Sequence, residues 1–387
     1  VGDPLNPDTF IGPKVNKAEV EKINQLVQKS VEQGGKVLLD MTPEMKPTQN
    51  GNWMYPVIIE VPNNDNILMH DEIFGPVLPV MKVRDFNQAL ELLDEQGAEE
   101  AYELVKQEWQ SVENANEAQL YNLAYCFAAL SGKTEEALGL MKEALYTKGY
   151  WYDYNYLMED EDLEELRKHS EFETMANLCR ERQQAALESA ESVLVQEEVE
   201  VGKPCLLILH GDQQNAAQTA PYWQSGKELG YGLGLAQSSQ VQMSEAYLWD
   251  DEETAAEEIS DQWNALKEQG VDIEKSILCG FSSGGRAAFY AAVSGAIAPK
   301  GLILVSPWLP ELEEWTEDLS KLKAAGTAVY ICCGDADEDC FEGSEALFEI
   351  LDDNGIEVEF KLCPDLEHDY PENFEQILRE AIQFVKQ

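Results

Sequence analysis

The second half of the chain alternates short apolar runs with amphipathic stretches. Between the apolar runs, apolar and polar residues recur at the three- and four-residue spacing of helices, as in WDDEETAAEEISDQWNALKEQG. Strands that are apolar throughout are buried on both faces, which is typical of a mostly parallel sheet with helices on both sides. The pattern therefore predicts an α/β domain over 191–387, whose strands lie in the runs SVLVQEEVEV, CLLILHG, YGLGLA, KSILCG, KGLILVS, TAVYICCG and IEVEFKLC.

The middle of the chain, 86–190, has a helical period instead. In the run EAQLYNLAYCFAALSGKTEEALGLMKEAL, apolar residues such as Leu120, Leu123 and Phe127 are followed by the small residues Ala137 and Ala144. This run resembles a tetratricopeptide repeat, so the region is predicted to be all-α. The resemblance implies a groove for a protein or peptide partner. The alternative, which we favour, is plain packing of these helices against another domain.

The first part, 1–85, mixes one helical stretch with strand-like pieces. The helix is predicted over KAEVEKINQLVQKSVEQGG, and the strands over KVLLD, YPVIIEV and PVLPVMKV. Through VGDPLNPDT at its start and DEIFGPVLPV at 71–80, this part resembles the aldehyde dehydrogenase family. The resemblance implies that Glu72 and Phe74 contact the ribose of a nicotinamide cofactor. The nucleophilic cysteine and Gly-rich cofactor domain of that family have no counterpart here, so we expect a non-catalytic fragment that needs no cofactor.

Composition excludes several classes of function. Hydrophobic residues make up 44% of the 387, which excludes a wholly disordered chain. The formal charge of −47 argues against binding nucleic acid or an anionic membrane. No apolar run of about 20 residues and no basic-then-apolar leader is seen, so a cytoplasmic protein is expected. The eight cysteines form no C-x-x-C pair and no zinc-like cluster with histidine, which favours buried free thiols and no metal.

The motif GFSSG at 280–284 carries the strongest chemical signal. It directly follows a predicted strand and opens a predicted helix, which is the setting of a nucleophile elbow. Glycines are needed in so sharp a turn because side chains would collide with neighbouring backbone. The turn would present the hydroxyl of Ser282 above the sheet as a nucleophile. In this setting the segment resembles the α/β-hydrolase family, and more narrowly its small carboxylesterases and dienelactone-hydrolase-like enzymes.

The resemblance implies a base and an acid that follow the serine in the chain. His368 is the sole histidine after Ser282 and lies in a loop before the last helix, so it is predicted to be the base. The family usually places the acid three residues after a glycine that ends the penultimate strand, which indicates Asp337. Asp335 and Asp339 remain the alternatives.

Two backbone N–H groups are predicted to form the oxyanion hole. One belongs to Ser283. The resemblance implies a second from the loop after CLLIL, at Asp212 or alternatively at Gln213. His210 precedes the serine and ends a strand, so it is predicted to shape this loop. The substrate pocket is predicted to be bordered by Trp249, Trp308, Leu309 and Trp315.

These observations favour one function and leave two alternatives. The favoured function is a serine hydrolase that cleaves a small carboxylic ester or thioester through an acyl-enzyme and needs no cofactor. Residues 191–387 carry every predicted catalytic group, so this domain is expected to suffice for activity. The first alternative is a partner-binding protein with an inactive hydrolase fold. The second is a remnant of an NAD-dependent aldehyde dehydrogenase.

Overall fold

The chain contains two compact units, Val1–Glu91 and Leu92–Gln387. The computed structural model describes residues 11, 13–41, 51–61, 66–70, 73, 75–80, 97–108, 116–316 and 319–386. Glu72 and Phe74, to which the dehydrogenase resemblance assigns cofactor contacts, lie outside the described residues. No helix among the described residues is both long and apolar enough to cross a membrane.

The first unit contains a small three-stranded sheet and one long helix. The helix begins where the side chain of Asn16 accepts a hydrogen bond from Glu19 N at 2.9 Å, and Gly34 follows its end with a φ of 95°. The first strand pairs antiparallel with the second, and the second pairs parallel with the third. The predicted helix and strands of this unit are thereby confirmed. In chain order the elements are α1 Lys17–Glu32, β1 Lys36–Asp40, β2 Val57–Glu60, α2 Ile67–His70 and β3 Val77–Val80.

The second unit opens with helices. The second and third of them pack as a pair across a short turn at Gly132, whose φ is 73°. A single π-helical turn extends the third helix to Lys148. The helical content predicted for this region is confirmed in the described residues. The helices are α3 Ala98–Glu108, α4 Glu117–Leu130, α5 Thr134–Lys142, α6 Tyr154–Glu159, α7 Glu164–Arg167 and α8 Ser170–Ser189.

A seven-stranded sheet follows, in which each strand coincides with one of the seven predicted apolar runs. Six strands are parallel, and the edge strand β4 is antiparallel to its neighbour. Their order is β12-β11-β10-β9-β5-β6-β4, and a small hairpin of β7 and β8 stands apart. The strands are β4 Val193–Glu197, β5 Cys205–Leu209, β6 Gly232–Gln237, β7 Val241–Met243, β8 Ala246–Tyr247, β9 Ile277–Phe281, β10 Gly301–Val305, β11 Ala328–Gly334 and β12 Val358–Cys363.

Helices cover both faces of this sheet, as predicted. Strands β5, β9, β10 and β11 are buried along their whole length, and their side chains point alternately into two separate hydrophobic clusters. The parallel strands end at one common edge. The covering helices are α9 Ala216–Trp223, α10 Ser225–Glu228, α11 Glu252–Glu268, α12 Ser283–Val293, α13 Leu312–Trp315, α14 Ser320–Ala325, α15 Phe341–Asp353 and α16 Phe374–Val385.

Candidate active site

Ser282 occupies a strained turn between β9 and α12. Its φ of 54° and ψ of −122° lie in a region that L-residues rarely adopt. Two backbone hydrogen bonds hold it there: Ser282 N donates to Val305 O at 3.0 Å, and Ser282 O accepts from Trp308 N at 3.2 Å. The side chain therefore stands above the carboxyl edge of the sheet, at the N-terminus of a helix.

The glycines of the motif permit two close backbone approaches. A Cβ at Gly280 would lie 2.2 Å from Gly284 O, and a Cβ at Gly284 would lie 2.3 Å from His210 O. Both distances are far below any tolerable contact with carbon. Gly284 thus lets the first turn of α12 pack directly on the loop that follows β5.

Ser282, His368 and Asp337 form one hydrogen-bonded chain, although the last two come from distant parts of the sequence. His368 Nδ1 lies 2.9 Å from Asp337 Oδ2, and His368 Nε2 lies 2.9 Å from Ser282 Oγ. A carboxylate can only accept, so Nδ1 carries the proton and Nε2 is free to accept from the serine hydroxyl. The three side chains follow the carboxyl ends of β9, β11 and β12, which meet at the same edge of the sheet.

Of the acidic residues after β11, Asp337 alone is buried; Asp335 and Asp339 are exposed. Burial by itself would raise the pKa of Asp337, but the hydrogen bond and the electrostatic attraction of His368 outweigh it, and the pKa lies below its usual value. The second carboxylate oxygen accepts from Cys340 N at 3.1 Å. Asp335 instead accepts from Asp365 N at 2.7 Å, which ties together the loops that follow β11 and β12.

The two residues predicted to form the oxyanion hole lie in segments that meet at the turn of Ser282. Ser283 is the first residue of α12. Asp212 belongs to the loop after β5, where a Cβ on Gly211 would lie 2.7 Å from the ring of Phe281, the residue before Ser282. Contact between this loop and the elbow is therefore direct. Gln213, the alternative donor, has a φ of 55°.

His210 lies fully buried below the loop. Its Nδ1 is 2.7 Å from Gly211 O, a carbonyl that can only accept, so Nε2 accepts from Ser238 N at 3.3 Å. Burial lowers the pKa of His210 to about 4. The ring is therefore neutral near pH 7, and both its nitrogens are engaged in shaping the loop.

The four residues predicted to border the pocket differ in exposure. Trp249, Leu309 and Trp315 are buried in the hydrophobic core of the sheet, whereas Trp308 is 39% exposed. The indoles of Trp249 and Trp315 donate to His210 O at 3.0 Å and to Glu252 at 3.2 Å. Trp308 is thus the one of the four that offers substantial surface next to Ser282.

Arg286 is a residue of this region that sequence reasoning missed. Its buried guanidinium donates to Glu252, to Glu311 and to Trp249 O, at 3.0 to 3.2 Å. It also lies 5.3 Å from the ring of Trp308. A lone arginine in the otherwise apolar run GGRAAFYAAV was the available signal. Arg286 thus joins the segments that carry the predicted pocket residues to α12, the helix that follows Ser282.

Ser306 is a second residue that the sequence reasoning missed. It is fully buried just after β10, with a φ of 41°. Its hydroxyl contributes to lowering the pKa of Asp337. Nothing in the sequence singles it out, because a serine after a strand is common.

One group among the described residues could offer several metal ligands. The ligand atoms of Asp337, Cys340 and His368 lie within 4.8 Å of one another. However, Asp337 and His368 are hydrogen-bonded to each other, and burial raises the pKa of the Cys340 thiol well above its usual value. A protonated thiol is a poor metal ligand, so the arrangement suits proton transfer better than metal binding.

Three protein families match different parts of the chain. Residues 239–386 match the family described as Phospholipase/Carboxylesterase, and residues 82–187 match one described as A/B hydrolase-like, N-terminal domain. Residues 1–98 match the aldehyde dehydrogenase family. The resemblances of the first and last parts of the chain to known families are therefore confirmed. The likeness of the middle region to tetratricopeptide repeats stays a prediction.

Curated relatives match the first part of the chain. A lactaldehyde dehydrogenase of Methanococcus aeolicus is 39% identical over 90 residues, which are 23% of this chain and 18% of that protein. A sulfoacetaldehyde dehydrogenase of Neptuniibacter caesariensis is 32% identical over 94 residues, which are 24% of this chain and 19% of that protein. The chain thus spans about a fifth of the length of the curated relatives it matches.

Solved structures are also similar to the chain. An uncharacterized protein from Bacillus cereus ATCC 10987 is 39% identical, with a TM-score of 0.46, and the match covers 78% of this chain and 98% of that one. A Bacillus cereus carboxylesterase is 19% identical, with a TM-score of 0.41, and the match covers 52% and 98% of the two chains.

Proposed function

We propose that this chain, whose C-terminal part is an α/β-hydrolase domain of the Phospholipase/Carboxylesterase family, is a serine hydrolase that cleaves carboxylic esters or thioesters. Ser282 is the nucleophile, His368 the general base and Asp337 the acid that orients it. The proposed substrate is a small-molecule ester, which the match of residues 239–386 to the Phospholipase/Carboxylesterase family supports.

One observation carries this proposal. The hydroxyl of a serine held in a strained elbow lies 2.9 Å from an imidazole nitrogen that must accept, because the other nitrogen donates to a buried carboxylate. A serine hydroxyl is a weak nucleophile until such a base removes its proton. A structural serine in a Gly-rich turn would need neither the base nor the acid behind it.

The geometry supports an acyl-enzyme mechanism. His368 Nε2 takes the proton as Ser282 Oγ bonds to the carbonyl carbon, and the new oxyanion accepts from the backbone N–H of Ser283 and of Asp212. The imidazolium then gives its proton to the leaving alcohol or thiol. In the second half, His368 removes a proton from water, which attacks the acyl group and releases the acid.

A fluorophosphonate probe tests the nucleophile directly. We expect one equivalent of probe on the full-length protein, located at Ser282 by peptide mass spectrometry, and none on Ser282→Ala. Ser294→Ala is the matched control, because that hydroxyl only donates to the carbonyl of Ala291 at the far end of the same helix. Labelling that persists in Ser282→Ala, or wild-type protein that takes up no probe, would refute the proposed function.

A further inference from the structure

The helical region holds the loop that carries the second oxyanion donor. In the first turn of α4, the side-chain amide of Gln119 donates from Nε2 to Gln213 O at 2.9 Å. The two residues are 94 positions apart in the sequence. Helices that precede the hydrolase sheet thus reach the loop between β5 and α9.

That loop has a conformation that needs support. Gln213 adopts a φ of 55°, which is unfavourable for a residue with a side chain. Gln214 closes the turn: its N donates to Gly211 O at 3.2 Å, and its side-chain oxygen accepts from Gly211 N at 3.2 Å. These contacts fix the two ends of the turn but leave the carbonyl of Gln213 to Gln119.

The orientation of that carbonyl matters for the proposed chemistry. The two candidate donors to the oxyanion are the N–H groups of Asp212 and Gln213, which lie in the peptides before the Cα of Gln213. The φ and ψ of Gln213 set the angle between those peptides and the next one, which carries this carbonyl. A change in these torsions would reorient the donors, which would then have to reorganise during the reaction. Gln119 limits this freedom by holding the Gln213 carbonyl, in the peptide whose N–H, on Gln214, donates to Gly211 O.

Gln119 is itself held firmly. Asn116 caps α4 by accepting from Ala118 N at 2.8 Å, and its amide donates to Ser244 O at 3.3 Å. Ser244, between β7 and β8, in turn accepts from Trp151 N at 2.8 Å and donates to Trp151 O at 3.1 Å. The start of the helix is therefore fastened to the β7–β8 hairpin.

The same hairpin also holds the loop. Tyr247 N donates to Gln214 O at 3.1 Å, and the Asn215 amide donates to Glu245 O at 2.8 Å. Helix α4, the hairpin and the loop thus form a closed set of contacts in which each holds the other two. Within this set, the side chain of Gln119 is the contact that α4 makes with the backbone beside the proposed oxyanion donors.

We propose that Gln119 is a positioning residue for the oxyanion hole, and that the helical region is therefore part of the catalytic unit. This inference rests on the proposed function. It replaces the expectation that 191–387 suffices for activity: without α4, the loop loses its anchor although every catalytic side chain is retained.

The test uses the full-length protein and two variants. Gln119→Met keeps the shape of the side chain without its donor, and Gln119→Glu presents an acceptor to the carbonyl. The matched control is Gln184→Met on α8, whose amide donates only to Glu188 one turn along the same helix. The measurements are kcat and KM for p-nitrophenyl acetate, and the inhibition constant of a trifluoromethyl ketone, which adds Ser282 Oγ to its carbonyl and places an oxyanion in the hole.

We expect kcat to fall about 10- to 100-fold in both variants while KM changes less than about twofold, because a misplaced donor weakens the transition state and not ground-state binding. The inhibition constant should rise by the same factor as kcat falls. A loss of folded protein alone would lower the rate of hydrolysis at every substrate concentration. It would leave the inhibition constant unchanged. Gln184→Met should match the wild type throughout.

Two results would overturn the inference: a wild-type kcat and inhibition constant in both variants, or a rise confined to KM. Failure of the proposed function looks different. In that case Ser282→Ala would hydrolyse the ester as fast as the wild type, or the wild type would show no turnover and no inhibition, and the role of Gln119 would fall with it. If Ser282→Ala is inactive and the Gln119 variants are unaffected, only the positioning role is refuted.

Discussion

The sheets of the two units differ in how far their strands are buried. In the first unit, β1 is exposed along its whole length, and Val37, Leu38 and Leu39 expose 41 to 50% of their surface. In the second unit, β5 and β10 are buried at every position. In the described residues, the first sheet shares a small hydrophobic cluster with α1 and α2, whereas the second sheet is covered by helices on both faces.

This difference shows what a segment keeps when it matches only part of a family's length. Local pattern is retained: the first unit forms the helix and strands that its sequence predicts, around Ile23 and Ile59. A catalytic site, unlike a local helix or strand, needs side chains from distant segments of the sequence. In the second unit the side chains of Ser282, Asp337 and His368 converge from the ends of three strands, and the first unit covers about a fifth of the dehydrogenases that it matches.

The largest expected effect concerns the acid in the second unit. Asp337→Asn should lower kcat by about 10⁴-fold, because an amide no longer requires the imidazole to present Nε2 as an acceptor to Ser282. Asp339→Asn, two residues away and exposed, is the matched control and should stay within twofold of the wild type. Steady-state kinetics on a short acyl ester would measure both. A greater loss in Asp339→Asn would move the acid to that residue.

A smaller effect is a dependence of stability on pH that arises in the second unit. The pKa of His210 is about 4 in the folded protein and 6.5 in an unfolded chain. Between these values the unfolded chain binds a proton that the folded one does not, so acid destabilises the fold. By pH 4 this effect of His210 has lowered the free energy of unfolding by about 3 kcal/mol.

His210→Gln isolates this contribution from that of the many carboxylates, since glutamine can offer both a donor and an acceptor. Urea unfolding at pH 7 and at pH 4 should show that the variant loses about 3 kcal/mol less than the wild type over this range. Equal losses in the two proteins would mean that His210 is not buried in its neutral form.

Removal of residues 1–91 should have a much smaller effect. All the proposed catalytic groups and Gln119 lie in Leu92–Gln387, which is a compact unit by itself. We expect kcat/KM for short esters within about twofold of the full chain. A shortened protein with normal circular dichroism and no activity would contradict the separation of the two units.

The smallest expected signal is the response of the first unit to NAD. Titration calorimetry with the full chain should give no heat of binding, because the match spans only about a fifth of the length of the dehydrogenases. Saturable heat at micromolar NAD would show that this segment has kept a cofactor site. The first unit would then hold a cofactor site, and the second the proposed hydrolase site.

The fold of the second unit was largely predictable because its strands are buried on both faces. Runs such as CLLIL and GLILV are apolar throughout, and they stand between helical stretches of clear period. The β7–β8 hairpin was not predicted, since strands of three and two residues leave too few positions for a pattern. Pro221, inside α9, also obscured the helix that follows the oxyanion loop.

The proposed site was predictable where chain order limits the choice, and not where packing decides it. Ser282 and His368 follow from a motif and from the scarcity of histidine. The choice among Asp335, Asp337 and Asp339 depends on which carboxylate is buried, and a charge run does not reveal this. Gln119 has no signal at all, because its role depends on a contact between segments 94 residues apart.

With the proposed function, the strained backbone of Ser282 sets stability and activity against each other over evolutionary time. A φ of 54° is easy for glycine and unfavourable for serine, so replacing Ser282 by glycine would relieve strain in this turn. Random mutation under selection for folding alone would therefore tend to erase this residue. A lineage of such proteins that keeps the serine at this position is one in which hydrolysis itself is under selection.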